Sequence, residues 1–300
     1  MKLSIYCWSI LFILIASTHA HGQPALKVPF EVSDSGHIFL RVRVNGSEPL
    51  LFGLDSGFEQ SAISTKQAEA LNLKLYGETE VTGGGENTDK IYFAKDVSLD
   101  LSGLTFTLKE VGVLALDFPS SQPNEPISGI LGYDFLRRFV VQIHFHNKLI
   151  SLYKPRTYRY RGKGGVLPIK MLDNYPSVAA TLSFPGIAPV TTMLVIDTGA
   201  GNDVFLNSPV VRRHKLLDSK QETTEAKTLG IGGTSRIRIG RATSIRLGRI
   251  VIPDPSVHFS LATKGDSAST LFGGHIGNGI LRRFKLVIID AARSRLILEQ

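Results

Sequence analysis

The sequence contains little that would crosslink the chain or carry it through a membrane. Its only cysteine, Cys7, lies near the start of the chain. No disulfide can form within the chain, so its stability has to come from core burial. After residue 20 no apolar run approaches the roughly 20 residues that a spanning helix requires. These absences exclude a disulfide scaffold and disfavour a protein that crosses a membrane with helices.

Several catalytic and ligand-binding patterns are missing as well. There is no G-x-S-x-G nucleophile elbow. The glycine-rich stretches lack both the Walker ending and the G-x-G-x-x-G spacing of phosphate-binding loops. His144 and His146 stand two apart on a predicted strand and so share a face, but no third or fourth ligand has a convincing spacing. We therefore expect no metal site.

Positive charge exceeds negative charge in this chain. Its 34 Lys and Arg residues face 26 Asp and Glu residues, which gives a formal net charge of +8. A basic balance can indicate a nucleic-acid or anionic-membrane partner. Here the positive residues are scattered, and the densest run, Lys154–Lys163, is typical of a linker. We expect a basic surface and no nucleic-acid partner.

The first twenty residues have the pattern of a secretory signal peptide. Lys2 supplies a positive start, and Ile5–Ala16 forms an uncharged apolar core. Thr18 and Ala20 lie three and one positions before a cut after Ala20. The apolar core is too short for a membrane anchor. We expect export, with a bacterial periplasm favoured, and no membrane partner once residues 1–20 are removed.

One ordered pattern occurs twice after the signal. In each half an apolar-Pro-apolar opening (28–30 and 167–169) precedes an apolar strand that runs into Asp-hydroxyl-Gly. A glycine-rich stretch and an apolar-Gly turn follow, and the identical Leu-Arg-Arg-Phe then begins at Leu136 and at Leu281. Asp55 and Asp197 are 142 positions apart, and the two leucines are 145 apart. Ordered landmarks at nearly one offset predict a duplicated domain.

The duplication divides the chain into two lobes. We expect an N-terminal lobe over residues 24–153 and a C-terminal lobe over residues 166–300. The segment between them, 154–165, is basic and ends in glycines, as linkers often do.

Local patterns predict that both lobes are mainly β. His37–Asn45 alternates apolar and polar residues, the period of a half-buried strand, and Asn45-Gly46 is a hairpin signal. Ser64 is expected to cap a helix, as is Asn207 ahead of Pro209. Short helices are also expected over Tyr133–Phe139 and Asn278–Phe284, and terminal strands over Val140–Phe145, Leu149–Tyr153, Leu286–Ile289 and Arg295–Leu298.

Each half offers one aspartate where an apolar strand runs into a tight turn. Partial burial there raises the pKa of Asp55 and Asp197. Two such loops related by a pseudo-two-fold axis would place the carboxylates face to face, where they share one proton. The charged carboxylate can take a proton from a water molecule, and the protonated one can donate to a peptide carbonyl oxygen.

These residues resemble the pepsin and retropepsin-like aspartic peptidases in a single-chain, two-repeat form. The similarity covers nearly all the chain after the signal and rests on two motifs in each half. These are Asp-Ser-Gly at 55–57 with Ile-Leu-Gly at 130–132, and Asp-Thr-Gly-Ala at 197–200 with His-Ile-Gly at 275–277. The resemblance implies two similar β-barrel lobes, a cleft between them and a water nucleophile. It also implies no metal or other cofactor, and a peptide or protein substrate. One chain supplies both halves, so a monomer suffices.

The resemblance assigns candidate roles to specific positions. They are Asp55 and Asp197 for catalysis; Ser56, Gly57, Thr198 and Gly199 for supporting the catalytic loops; Ile130, Leu131, Gly132, Ile276 and Gly277 for the motif beside those loops; and Gly83, Gly84, Gly85, Gly230, Gly232 and Gly233 for flaps that close over the substrate.

Three departures from the family pattern leave alternatives open. Phe58 stands where a small residue is typical and is expected to crowd the first loop. His275 replaces an apolar residue, which favours a hydrogen-bonded core histidine. Neither glycine-rich stretch carries the flap tyrosine of pepsin-like enzymes. A catalytically silent peptide-binding protein on the same fold therefore remains an alternative. So does a glycosidase, whose carboxylates would lie about 5 Å or more apart.

Overall fold

The computed structural model describes residues 23–116, 125–218 and 222–300. The predicted signal peptide at 1–20 therefore lies outside the described residues. The described part is mainly β with a few short helices, which confirms the expected fold class. Within these ranges no helix has both the length and the apolar character needed to cross a membrane.

The first half contributes eleven strands and two helices within the described residues. They are β1 (Leu26–Pro29), β2 (Glu31–Val32), β3 (Ile38–Val44), β4 (Leu50–Leu54), β5 (Ala62–Ser64), α1 (Thr65–Ala70), β6 (Leu75–Val81), β7 (Asp89–Leu101), β8 (Leu104–Leu114), β9 (Gly129–Leu131), α2 (Tyr133–Leu136), β10 (Val140–His144) and β11 (Leu149–Tyr153). Eight of these strands form one sheet in the order β2-β3-β4-β9-β5-β8-β7-β6, and β3 also pairs with β7.

The second half repeats this arrangement. Its elements are β12 (Gly165–Pro168), β13 (Lys170–Leu172), β14 (Tyr175–Phe184), β15 (Ile187–Ile196), β16 (Val204–Leu206), α3 (Ser208–Arg213), β17 (Thr224–Gly230), β18 (Gly233–Arg241), β19 (Ser244–Leu247), β20 (Ile250–Pro253), β21 (Ser256–Ser260), β22 (Gly274–Ile276), α4 (Asn278–Leu281), β23 (Leu286–Asp290) and β24 (Arg295–Glu299), with 3-10 turns at Asp266–Ala268 and Ala291–Arg293. Its sheet runs β17-β18-β21-β16-β22-β15-β14-β19-β20, and β13 pairs with β14.

The duplication is visible in the strand pairing. In the first half β4 is parallel to β9, β9 is antiparallel to β5, and β5 is parallel to β8. In the second half β15, β22, β16 and β21 repeat the same sequence of parallel and antiparallel pairs. The internal repeat predicted from the landmarks is therefore a repeat of topology.

A third sheet joins the two halves. Its order is β1-β11-β10-β23-β24-β12, and β10 of the first half pairs with β23 of the second, with Val140 opposite Asp290. The four predicted terminal strands are present, within one residue of their expected bounds. Asp290 is fully buried in this sheet and forms ion pairs with Arg293 and Arg295.

Most local predictions hold. The strand β3 buries alternate residues over its second half. Asn45 and Gly46 both take left-handed backbone conformations, with φ of 49° and 78°, as the predicted hairpin turn requires. Ser64 caps α1, because its hydroxyl accepts a hydrogen bond from the backbone N–H of Gln67 at 3.2 Å. The helices over α2 and α4 are present but end three residues earlier than expected.

One local prediction holds in part and another is wrong. Asn207 is the N-cap residue of α3, as expected, but its side chain makes no capping bond; its amide donates to the carbonyls of Asp266, Ser269 and Phe272, and Pro209 is the second helical residue. The strand β10 ends at His144, so His146 lies in the following turn and not on the same strand face.

Candidate active site

The two aspartates occupy equivalent positions in the two halves. Asp55 directly follows β4, and its N–H donates to the carbonyl of Leu131 at 2.9 Å. Asp197 directly follows β15, and its N–H donates to the carbonyl of Ile276 at 3.0 Å. Each aspartate is thus held by the apolar-Gly motif of its own half, as the sequence comparison of the two repeats predicts.

The two loops are bonded to each other through buried hydroxyl groups. The N–H of Ser56 donates to Oγ1 of Thr198 at 2.9 Å, and the N–H of Thr198 donates to Oγ of Ser56 at 3.0 Å. Each hydroxyl in turn donates to a backbone carbonyl of the opposite lobe, Ser56 to Ile196 at 2.6 Å and Thr198 to Leu54 at 3.0 Å. The reciprocal set fixes the position of one loop relative to the other.

Glycine after each hydroxyl residue lets the opposing carboxyl approach. A Cβ placed on Gly57 would lie 2.7 Å from the carboxyl carbon of Asp197, and one on Gly199 would overlap the carboxyl of Asp55. The N–H groups of both glycines also donate to the aspartates of their own loops, at 2.8 and 2.9 Å. Each carboxyl group is therefore close enough to the other to influence its pKa.

This arrangement changes the acidity of the pair. Burial and the neighbouring charge of Asp197 raise the pKa of Asp55 well above its ordinary value. Burial raises the pKa of Asp197 to about 6, against the opposing effect of hydrogen bonds from Gly199, Asp55 and Ala200. Because the two groups titrate together, the shared proton belongs to the pair. The pair holds one proton from about pH 6 upward until Asp55 also ionises.

The carboxyl pair lies in a cleft of about 1020 Å³ between the two lobes. The side chain of Asp197 is 18 % exposed, so the pair is reachable from the cleft although it is largely desolvated. Phe58 lines this cleft and packs with Ile91 and Ile130. The side chain of Phe58, which was expected to crowd the first loop, thus forms part of the apolar wall of the cleft.

The two predicted flap stretches lie at the cleft and meet each other. The N–H of Gly85 donates to the carbonyl of Ile231 at 2.9 Å, and the N–H of Asn87 donates to the carbonyl of Gly232 at 2.9 Å. The hydroxyl of Ser235 donates to the carbonyl of Gly84 at 2.9 Å. In this conformation the glycine-rich stretches of the two lobes are joined across the cleft.

Side chains for which no sequence pattern indicated a role also join the glycine-rich stretches of the two lobes. Glu86 accepts hydrogen bonds from the N–H and the hydroxyl of Thr263, at 2.8 and 3.1 Å. Thr82 donates to Asp266 at 3.0 Å. The hydroxyl of Ser267 donates to the carbonyl of Gly84 at 3.1 Å. These partners are about 180 positions apart, so no local signal connects them.

His275 lies beside the carboxyl pair. Its Nδ1 is 3.7 Å from Oδ2 of Asp197, and its Nε2 is 3.2 Å from Oδ1 of Asn202. The imidazole stacks on Phe205 with ring centroids 5.0 Å apart. Burial lowers the pKa of His275 to about 4, so the ring is neutral at ordinary pH. It is hydrogen-bonded, as expected, but it faces the cleft instead of the core.

A further residue of the second loop was missed in the sequence. Asn278 is fully buried, and its amide donates to the carbonyls of Thr198 and Gly36, at 2.7 and 2.8 Å. It therefore ties the Asp197 loop to the first lobe. Its position directly after Gly277 is the only sequence signal that could have identified it.

Comparison with known proteins gives one family. A family model described as aspartyl protease matches residues 40–135 and 180–278, one segment in each half and together more than half of the chain. No curated protein matches the chain.

Proposed function

The chain belongs to the aspartyl protease family, and we propose that it is an exported aspartic endopeptidase that uses Asp55 and Asp197 as its catalytic pair. The observation that carries this proposal is the reciprocal bonding of Ser56 and Thr198, which interlocks two equivalent loops and brings the carboxyl of each loop against the glycine of the other. Hydrolysis of a peptide bond by water needs one general base and one general acid, and a pair that shares one proton supplies both.

The proposed reaction follows from the protonation state. A water molecule between the carboxyls attacks the peptide carbonyl carbon, and its proton passes to the charged carboxylate. The proton of the other carboxyl passes to the carbonyl oxygen, which gives a neutral tetrahedral intermediate. The carboxyl pair then donates a proton to the amide nitrogen and takes a proton from one hydroxyl group of the intermediate. The C–N bond breaks as a result. The closed flaps reduce access of bulk water, which strengthens the electrostatic interactions in the cleft.

The close approach of the two loops argues against a glycosidase. Glycosidases place the two groups about 5 Å or more apart to accommodate a sugar ring or a water molecule. Here the carboxyls of Asp55 and Asp197 each lie directly against the glycine of the opposing loop.

We also propose the organisation that accompanies this activity. Residues 1–20 act as a signal for export to a periplasm or the outside of the cell. Residues 24–153 and 166–300 form the two lobes, with 154–165 as their linker. A single copy of the chain provides the whole site, so the enzyme works as a monomer on peptide or protein substrates, without a cofactor.

The proposal is tested by cleavage of a mixed peptide library by residues 21–300, between pH 4 and pH 9. Asp55→Asn and Asp197→Asn are expected to lose cleavage while circular dichroism shows an intact fold. Asp173→Asn is the matched control: Asp173 is exposed and has a φ of 50°, which asparagine tolerates. Cleavage retained by both dyad variants would exclude the proposed mechanism. Peptide binding by a folded wild-type chain that cleaves nothing would identify a silent binding protein instead.

A further inference from the structure

The duplication allows the two walls of the cleft to be compared position by position. In the first lobe, one row crosses three paired strands: Ile130 on β9 lies opposite Ala62 on β5, and Ala62 lies opposite Gly112 on β8. In the second lobe, the equivalent row is His275 on β22, Phe205 on β16 and His258 on β21. The same backbone positions therefore carry small or aliphatic residues in one wall and three rings in the other.

The first-lobe wall is apolar. Ile91 covers Gly112 so closely that a Cβ there would lie 2.7 Å from the end of the isoleucine side chain. Ile130, Phe58 and Ile127 pack in the same cluster, and Ile231 from the flap of the second lobe completes it. These side chains are all hydrocarbon. An apolar substrate side chain would therefore bind this wall favourably because both lose contact with water.

The second-lobe wall carries polar groups whose hydrogen-bonding capacity is not fully used within the described residues. Phe205 stacks on His275 and meets His258 edge-on, with centroids 6.5 Å apart. His258 lines the cleft, and no hydrogen bond to its ring is found within the described ranges. Asn202 uses its Oδ1 on His275, but its Nδ2 is buried and has no hydrogen-bond partner among the described residues. Buried polar atoms are rarely left unpaired, so the wall suits a ligand that bonds with them.

The charge around this wall limits the kind of ligand. Burial lowers the pKa of both imidazoles, so the rings are neutral at ordinary pH. The nearby Asp197 would repel a carboxylate, and neutral rings do not offset that repulsion. A lysine or arginine has no acceptor to offer the amide of Asn202. A carboxamide is uncharged and carries both a donor and an acceptor.

We propose that the wall formed by Asn202, His258 and His275 selects an uncharged hydrogen-bonding side chain, asparagine or glutamine above all, on one side of the scissile bond. The opposite wall takes an apolar side chain on the other side, because the carboxyl pair lies between the two walls. This inference rests on the proposed peptidase function, and it names the class of substrate for that function.

The test uses peptides that are identical except at the two residues flanking the scissile bond, each set in turn to glutamine, glutamate or leucine. We expect wild type to prefer glutamine over leucine at one flanking position by about tenfold in kcat/KM, as two added hydrogen bonds imply. His258→Leu and His275→Ile should remove most of this preference. The second variant installs the residue found at the equivalent position, Ile130, so the fold accommodates it.

Ratios between peptides are compared within each variant, because His275 is close to Asp197 and its replacement also changes the absolute rate. Ile130→Val, in the opposite wall, is the control and should leave the glutamine preference unchanged. Equal use of glutamine and leucine by wild type at both positions would overturn the inference. So would a preference that survives in both histidine variants.

Binding separates this inference from the proposed function. The affinities of the same peptides are measured with Asp55→Asn, alone and combined with His258→Leu, by fluorescence anisotropy. A glutamine preference in Asp55→Asn that is lost in the double variant supports the pocket even if wild type cleaves nothing, in which case only the peptidase proposal fails. The absence of a glutamine preference in binding would refute the pocket even if wild type cleaves peptides.

Discussion

Ser56 and Thr198 exchange hydrogen bonds across the boundary between the lobes, each backbone N–H donating to the hydroxyl of the other residue. Both residues are buried, with exposures of 1 % and 0 %. Four bonds in this small set have no access to bulk water, so loss of either hydroxyl leaves a buried group unpaired. The mutual position of the two carboxyl groups depends on the same bonds.

Ser56→Ala should therefore lower the free energy of unfolding by about 1–3 kcal/mol, the cost of leaving the N–H of Thr198 buried and unpaired. It should also reduce kcat more than it raises KM, because the carboxyls lose their alignment. Thr198→Ser keeps the hydroxyl and should stay close to wild type. Urea denaturation and peptide kinetics measure both effects, and an alanine variant as stable as the serine variant would contradict the expectation.

The activity should depend on pH in a way set by the carboxyl pair. With the pKa of Asp197 at about 6, kcat/KM should rise as the pH increases through about 6, because the doubly protonated pair lacks a base. It should fall again at higher pH, where Asp55 loses its proton and the pair lacks an acid. A pH–rate profile from pH 4 to pH 10 measures both limbs. An optimum near pH 3 would show that burial does not control these carboxyls.

The free energy of unfolding should depend on the same protonation, and it can be measured without any peptide cleavage. The pKa of Asp197 is raised from 3.8 to about 6 on folding, so the folded state binds the proton more tightly than the unfolded state does. This contribution is fully present below about pH 3.8 and is lost as the pH rises through about 6. Relative to Asp197→Asn, wild type should lose about 2 kcal/mol across this interval. Denaturation curves at pH 4 and pH 7 test the difference, and equal pH dependence of the two proteins would contradict it.

The flap closure should loosen when its acidic anchor is removed. Glu86→Ala deletes both hydrogen bonds to Thr263, and we expect faster amide hydrogen exchange at Gly85 and Gly232, whose N–H groups lie in the joined flaps. Glu78→Ala is the control, since its surface ion pair with Lys90 is on the same hairpin and does not cross the cleft. Unchanged exchange in Glu86→Ala would show that the backbone bonds between the flaps suffice.

Asp290 should contribute far more to stability than a surface carboxylate does. Asp290→Ala removes the fully buried carboxylate that bonds to Arg293 and Arg295, and we expect a loss of about 1.5–3 kcal/mol in the free energy of unfolding. The control is Asp254→Asn, because the ion pair of Asp254 with Arg241 is exposed at both side chains, 67 % and 58 %, and asparagine tolerates the φ of 49° at this position; this variant should be far less destabilised than Asp290→Ala. Similar losses in the two variants would contradict this ranking.

Features with a local pattern could be predicted from the sequence. The duplicated Asp-hydroxyl-Gly motifs identified Asp55 and Asp197, and alternation with a turn signal identified β3 and its hairpin. Each of these signals involves residues within a few positions of one another. Strand pairing then brings the repeated motifs together because the two halves share one topology.

Features that depend on distant partners could not be predicted. Asn278 bonds to Gly36, 242 positions away, and Glu86 bonds to Thr263, 177 positions away. Asn207 shows the same limit: it occupies the predicted N-cap position, but bonds from its amide to carbonyls at 266, 269 and 272 accompany the absence of a side-chain capping bond. The chemical difference between the two walls of the cleft also depends on strand register, because only the register shows that Ile130 and His275 occupy equivalent positions.

The sheet that joins the two halves has a consequence for the order in which the fold is completed. Among the described residues, β12 pairs only with β24, and β10 meets the second half only through β23, so β23 and β24 link the first half to β12 within this sheet. These two strands follow every other described strand along the chain. We expect the carboxyl pair to become aligned only when they have paired. Under the proposed function, a chain in which β23 and β24 have not yet paired would have no working carboxyl pair and would cleave no peptide.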